Sequence, residues 1–160
     1  MIHMGNNEFL LLKKFLDDNG VVYRVYEHEP VYTSEQAARV RRVELKTGVK
    51  ALIIKTPDER FILGLVAADR KIDLAKLAKI VGVKKLKLAT PIEVLEKTGC
   101  EIGSVHPFGN LYNLQTYLDR SVLENTWVNF NAGLHTVSIH MKTEDLVRLV
   151  KPVIADFSKE

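Results

Sequence analysis

One hundred and sixty residues, 46% apolar and 27% charged, describe a single globular domain over residues 1–160 with enough chain for one sizeable core. A formal charge of +3 is too mild to mark a dedicated nucleic-acid binder, yet it does not oppose a polyanionic partner. One cysteine excludes an internal disulfide, no apolar run reaches the roughly 18 residues of a membrane span, and Met1–Asn7 lacks a basic-then-apolar targeting pattern, so a cytoplasmic protein is expected.

Phe9–Asp18 has helical spacing, with Phe9, Leu12 and Leu16 on one face, Asn7 as a candidate cap and Asn19-Gly20 as a stop. Val21–Tyr26 is β-branched and aromatic, a strand, and Glu27-His28-Glu29-Pro30 breaks it. Thr33 with Gln36 three residues on predicts a capping box and a helix from Ser34 that carries Ala37, Ala38 and Val40 inward. Arg39, Arg41 and Arg42 at its end complement the helix dipole; an RNA contact is the alternative.

Gly48–Lys55 is a largely buried strand, turned back by Thr56-Pro57-Asp58-Glu59 into Arg60–Ala67. Lys50 opens the apolar run, where a lysine is awkward unless its ammonium reaches a cleft or an anion. A lysine guarding a sheet edge is the plainer explanation, and on spacing alone it stands ahead. Asp73 caps a helix through Val81 that ends at Gly82, with Leu74, Leu77, Ala78 and Val81 on one face. Lys76, Lys79, Lys84, Lys85 and Lys87 make this the most basic segment: a solvated face, or phosphate contacts if the partner is RNA.

Leu86–Ala89 is a short strand, and Thr90-Pro91-Ile92-Glu93 combines cap, first-turn proline and an acidic third residue to start a helix that Gly99 ends. Thr98–Asn110 then reads T-G-C-E-I-G-S-V-H-P-F-G-N. Three glycines and a proline spend this stretch on backbone shape, which exposes N–H and C=O groups to a ligand. A long ordered connection between helix and strand fits the spacing equally well. Asn110–Leu118 reads as a strand with Leu111 and Tyr117 inward, and Asp119 opens a turn around Ser121–Glu124. Thr126–Asn131 and Thr136–Met141 alternate as the arms of a hairpin joined by Ala132-Gly133-Leu134-His135, and Thr143 caps a last helix to Lys151 that Pro152 stops. The result is a mixed α/β domain: about seven strands, mostly antiparallel, in a sheet or partial barrel flanked by helices.

Familiar catalytic patterns are missing. His28, His106, His135 and His140 have no ligand spacing, one cysteine makes no C-x-x-C, and there is neither a G-x-S-x-G elbow nor a Walker loop, so no metal or cofactor is expected. Cys100, a lone small thiol after a helix-ending glycine, reads as packed and inert, and His135 lies in a turn that tolerates polar residues freely.

Gly103-x-x-x-Pro107-x-Gly109 resembles the glycine–proline loop of the YbaK/ProX family, free-standing relatives of the editing domain inserted in bacterial prolyl-tRNA synthetases. The likeness extends, in family order, over His28-Glu29-Pro30, Thr33–Ala38, Val49–Leu52, Lys71–Leu74, Ala89-Thr90-Pro91, Gly99–Gly109 and Asn131-Ala132-Gly133. It implies a barrel-like mixed sheet and hydrolysis of mischarged aminoacyl-tRNA, with a small non-cognate amino acid, alanine or cysteine, expected on tRNA(Pro), and the acceptor end and prolyl-tRNA synthetase as partners. A non-catalytic tRNA- or synthetase-binding module of the same fold is the alternative, and a cysteine-dependent esterase a weaker one.

By order, the family's strand lysine is Lys50, and the loop places Gly103 and Ser104 beside it as catalytic donors. Tyr32, Thr33, Ala51, Val105, Pro107, Phe108, Gly109, Gly133 and His135 are the implied substrate contacts, with Lys76, Lys79, Lys84 and Lys85 on tRNA phosphates. The implied amino-acid pocket is small and apolar. The ester is already activated, so a placed water and donors for the developing oxyanion suffice. In this family the substrate's own ribose hydroxyl or side chain assists the attack. His106 departs from the family pattern before Pro107, and the Asn131–His135 turn follows it only loosely.

Overall fold

A computed structural model describes residues 5–160; residues 1–4, part of the segment read for a targeting pattern, lie outside the described residues. Two sheets face each other across one core. The smaller has the order β1-β8-β7, from Tyr23–Glu27 (β1), Val137–Lys142 (β8) and Trp127–Asn131 (β7), all antiparallel. The larger has the order β5-β2-β3-β6-β9, from Lys87–Leu88 (β5), Val49–Lys55 (β2), Phe61–Ala67 (β3), Gln115–Asp119 (β6) and Val153–Ala155 (β9). Here β2 pairs antiparallel with β3 and β5, whereas β3–β6 and β6–β9 are parallel. A two-stranded ribbon joins Lys71–Ile72 (β4) to Ser158–Lys159 (β10). One parallel bridge, Gly48 to Asn129, links the two large sheets, and the barrel they begin does not close.

Strand alternation sorts the side chains. Val49 and Ile53 of β2 and Leu63 and Leu65 of β3 meet Val128, Phe130, Ile139 and Met141 of the smaller sheet, under Leu12 and Leu16 of α1 (Asn6–Asp18). Ile54, Ile62 and Val66 face the other way and form a second cluster with Leu77 of α3 (Leu74–Val81), Ile72 and Phe157. Lys50 shares that outward register with Leu52 and Ile54, at the end of the strand where α3 no longer covers it.

Local capping chemistry explains the helix starts. Asp73 accepts the amides of Ala75 and Lys76, and Thr90 with Glu93 completes a reciprocal box at α4 (Pro91–Thr98). At α2 (Ser34–Arg41) Thr33 accepts the Gln36 amide, while the Gln36 side chain reaches one residue further back, to the Tyr32 amide.

Five expectations need correction. Ten strands are present among the described residues rather than about seven: β4, β9 and β10 are only two or three residues long and exist through distant partners. Gly5, in left-handed backbone, precedes α1, so Asn7 lies inside the helix and caps nothing. Asn110–Leu114 is not strand: Gly109–Leu111 forms a 3-10 turn and β6 begins at Gln115. Leu111 is accordingly exposed rather than inward. Thr143 is the first residue of α5 (Thr143–Val150), and its hydroxyl donates to the Asn125 carbonyl instead of capping. No helix among the described residues is long and apolar enough to cross a membrane.

Candidate active site

The pairing of β2 with β5 covers only Ile54 and Lys55, which leaves the other end of β2 as an open edge. Gly48 O accepts the Ala68 amide at 2.8 Å, so even-numbered β2 residues bond to β3 and Val49, Ala51 and Ile53 turn their amide groups to that edge. Ile53 O is taken there by the Ala89 amide at 2.9 Å. Ahead of it, the edge borders a cavity of about 190 Å³. One wall is β2, with Lys50 and Ala51; a second is α2, with Thr33, Ala37, Ala38 and Arg41; the third is the Gly103–Val105 turn, and Asn129 and Asn131 close the end. The volume lies below the roughly 300–1,000 Å³ of common small-molecule sites.

Lys50 is half-buried and has neither a hydrogen bond nor an ion pair among the described residues. Burial holds its ammonium below the ordinary lysine pKa; Glu35 and Asp69 pull it back up, and Lys71 adds to the lowering. An ammonium placed this way is available to a ligand oxygen.

Backbone accounting locates the free donors of the loop. Cys100 N–H bonds to Thr98 Oγ1, Ser104 N–H to Glu101 O, His106 N–H to Tyr112 Oη, Phe108 N–H to His106 Nδ1 and Gly109 N–H to Pro107 O. The amides of Gly103 and Val105 have no partner among the described residues, and both residues line the cavity. Gly103 sits at φ 87°, and a β-carbon on it would stand 3.4 Å from His135 Cε1, so backbone conformation more than crowding requires glycine there.

Six of the residues implied by the resemblance meet at this cavity: Tyr32, Thr33, Lys50, Ala51, Gly103 and Val105. Ser104 does not. Its hydroxyl and amide both go to Glu101 O, its carbonyl takes the Gly133 amide at 2.9 Å, and it borders a separate cavity of about 200 Å³ with Gly133 and His135. His135 donates from Nδ1 to Val31 O at 3.0 Å and packs against the Tyr32 ring, which lines both cavities. Pro107, Phe108 and Gly109 lie away from the cavity. Phe108 is a fully buried core ring against Phe15 and Phe130, and a β-carbon on Gly109 would overlap Thr116. Lys76, Lys79, Lys84 and Lys85 are exposed and line none of the cavity.

His106 is buried and stacked on Tyr112, and burial lowers its pKa to about 3; its neutral Nδ1 accepts the Phe108 amide at 3.2 Å and holds the turn around Pro107. Cys100 is buried, and burial raises its thiol to about 11. That is the environment of a packed thiol, not of a nucleophile.

The residues that sequence reasoning missed are polar and central. Arg41 is not a solvated helix end: its Nε donates to Ser138 Oγ at 2.7 Å, Nη1 to Asn129 Oδ1 at 2.9 Å and Nη2 to Asn131 Oδ1 at 2.7 Å. Asn131 Nδ2 in turn donates to Gly103 O at 2.8 Å, and Asn129 Nδ2 to Thr47 Oγ1 at 2.8 Å. Ser138 lies 2.7 Å from His28 Nε2, the direction its own proton takes once its oxygen accepts Arg41. The available signal was Asn129 and Asn131 on the face of β7 opposite Val128 and Phe130, where two amides inside a sheet need partners.

Residues 28–149 match the model of the aminoacyl-tRNA editing domain. The chain belongs to that family. The editing domain is 34% identical over 148 residues to the Multifunctional Ser/Thr-tRNA deacylase ProXp-y of Escherichia coli K12, covering 90% of this chain and 89% of that one. It is 30% identical to the proline–tRNA ligase of Bacillus subtilis over 76% of this chain but only 21% of the ligase, as expected for a domain inserted in a larger enzyme. Its fold superposes on a crystal structure provisionally described as a trans-editing enzyme for prolyl tRNA synthetase, with a TM-score of 0.85, 28% identity and coverage of 96% and 98%. Editing domains of this kind are aminoacyl-tRNA deacylases.

Proposed function

We propose that this editing domain acts in trans, hydrolysing the ester that joins a small non-cognate amino acid to tRNA, with tRNA(Pro) as the acceptor. The observation that carries the reading is the convergence of the unpaired Lys50 ammonium and the unspent amides of Gly103 and Val105 on one small cavity. Water attacks the ester carbonyl, the amides donate to the oxyanion, and the ribose oxygen leaves with a proton as free amino acid departs. Preorganised amides of this kind are worth about 3 kcal/mol each in other hydrolases. Lys50 holds the carbonyl or the terminal phosphate as a point charge. No protein side chain need act as general base, because the adjacent ribose hydroxyl of the substrate can guide the water.

Size selects the substrate. A synthetase separates amino acids that differ by one methylene by only about 1–3 kcal/mol, so a second site must remove the smaller intruder. Alanine and cysteine fit the volume; serine and threonine, named for the Escherichia coli relative, fit it too. Lys76, Lys79, Lys84 and Lys85 offer exposed charge to acceptor-stem phosphates, and prolyl-tRNA synthetase is the partner that would supply mischarged tRNA.

The test is a deacylation panel: alanyl-, cysteinyl-, seryl- and threonyl-tRNA on proline and cognate acceptors, with wild type and a no-enzyme blank. Turnover of at least one small aminoacyl-tRNA is expected. A flat panel with intact tRNA binding would make the domain a binding module instead.

A further inference from the structure

Arg41 is partly buried at the end of α2, and no carboxylate lies within ion-pair distance of it among the described residues. Its three acceptors, Ser138, Asn129 and Asn131, are neutral. A buried cation is ordinarily paired, because desolvation costs more than neutral dipoles return. Burial lowers this guanidinium to about 10, in keeping with a charge that its surroundings do not neutralise.

A guanidinium carries five N–H donors, three of which are used here; one on each terminal nitrogen remains. Arg41 lines the cavity with Ala37 and Ala38, on the α2 wall. In the deacylase reading the ester carbonyl is assigned to Lys50 and the Gly103–Val105 amides, which leaves the amino-acid side chain as the group to meet α2.

We propose that Arg41 is the specificity-determining residue of the cavity, its two unspent N–H groups reading an oxygen on the substrate's side chain, so that hydroxyl-bearing serine and threonine are preferred over alanine of similar size. The inference rests on the deacylase reading and assigns its selectivity to one side chain. A site built to hydrogen-bond a hydroxyl discriminates strongly against the analogue that lacks it, since its own donors are then left unpaired. Asn129 and Asn131 hold the fork in place: with both amide oxygens on the guanidinium and both amide nitrogens committed elsewhere, neither can flip without losing two bonds.

The experiment compares kcat/KM for seryl- and alanyl-tRNA of one acceptor, in wild type, Arg41→Lys and Arg41→Gln. Wild type is expected to favour serine at least tenfold, and Arg41→Gln to reduce that ratio at least tenfold by lowering the serine value. Arg41→Lys is expected to fall between, because an ammonium keeps the charge but loses the fork. A ratio that stays within twofold, or serine and alanine values that fall together, would overturn the proposal; the second result would make Arg41 a positioning residue acting through Asn131. Should both variants fail to fold, the affinities of wild type for non-hydrolysable seryl- and alanyl-adenosine amides decide. A tenfold preference for the seryl compound is expected, and equal affinities would refute the role. No turnover on any tRNA by wild type would instead sink the deacylase reading, leaving the amide comparison to judge Arg41 by itself.

Discussion

Asn131 donates its side-chain amide to the Gly103 carbonyl at 2.8 Å, tying β7 to the turn that borders the cavity. The same amide accepts Arg41 from its other end, so a strand, a helix and a loop that are far apart in sequence are fixed to one another by one side chain. Asn131→Ala would leave a guanidinium N–H and a carbonyl unpaired, a loss of about 1–3 kcal/mol in stability. Asn131→Asp is the sharper probe, because a carboxylate still accepts Arg41 but cannot donate to Gly103. We expect Asn131→Asp to melt at or above the wild-type temperature while kcat falls tenfold or more, checked by thermal unfolding beside single-turnover deacylation.

If Lys50 acts as proposed, the activity should have an alkaline limit. Its ammonium is held below the ordinary lysine value of about 10.4, chiefly by burial, so the charged form is lost earlier on raising the pH than in a free lysine. Once uncatalysed ester hydrolysis is subtracted, the rate should decline through that lowered value. Lys50→Arg should move the limb to higher pH even if the maximum rate drops. A limb that does not move would detach it from this residue.

His106 sets an acid limit on stability. Its folded-state pKa of about 3 lies below the unfolded value of about 6.5, so the unfolded chain binds the proton first. The contribution is complete above pH 6.5 and is lost as the pH falls towards 3, with a slope approaching about 1.4 kcal/mol per pH unit. His106→Asn keeps an acceptor within reach of the Phe108 amide without a titrating group. Urea midpoints at pH 7, 5 and 4 should fall less steeply for that variant than for wild type.

Cys100→Ala should leave deacylation within about twofold of wild type. The thiol is fully buried in the core, is raised to about 11 and makes weak sulfur hydrogen bonds with Thr98 and Tyr112, neither of which lines the cavity. A loss of a hundredfold with the fold intact would revive a thiol mechanism.

Features written in a few adjacent residues were legible in the sequence. Asp73 with Gly82 and Thr90-Pro91-Ile92-Glu93 with Gly99 bound their helices as expected, because a cap is satisfied within one turn. The β7–β8 hairpin was legible for the same reason, through alternation and a short turn. Strands β4, β9 and β10 were not: two or three residues have no period, and each pairs with chain far away in sequence, Val153 with Tyr117 and Ser158 with Ile72. The site divided along the same line. Lys50 and Gly103 came from an ordered resemblance, whereas Arg41 looked like an ordinary last-turn arginine until Ser138, Asn129 and Asn131 were brought around it. Ser104, Phe108 and Gly109 show the converse, since a loop motif marks the residues that shape a turn as well as those that face a ligand.

The most direct measurement is single-turnover deacylation of a mischarged small-aminoacyl-tRNA by wild type and Lys50→Ala at equal, saturating enzyme, with melting temperatures recorded in parallel. The account predicts a loss of about two to three orders of magnitude, the size typical of removing one preorganised electrostatic group, in a protein that melts no lower than wild type. Wild-type turnover by a folded Lys50→Ala protein would contradict it.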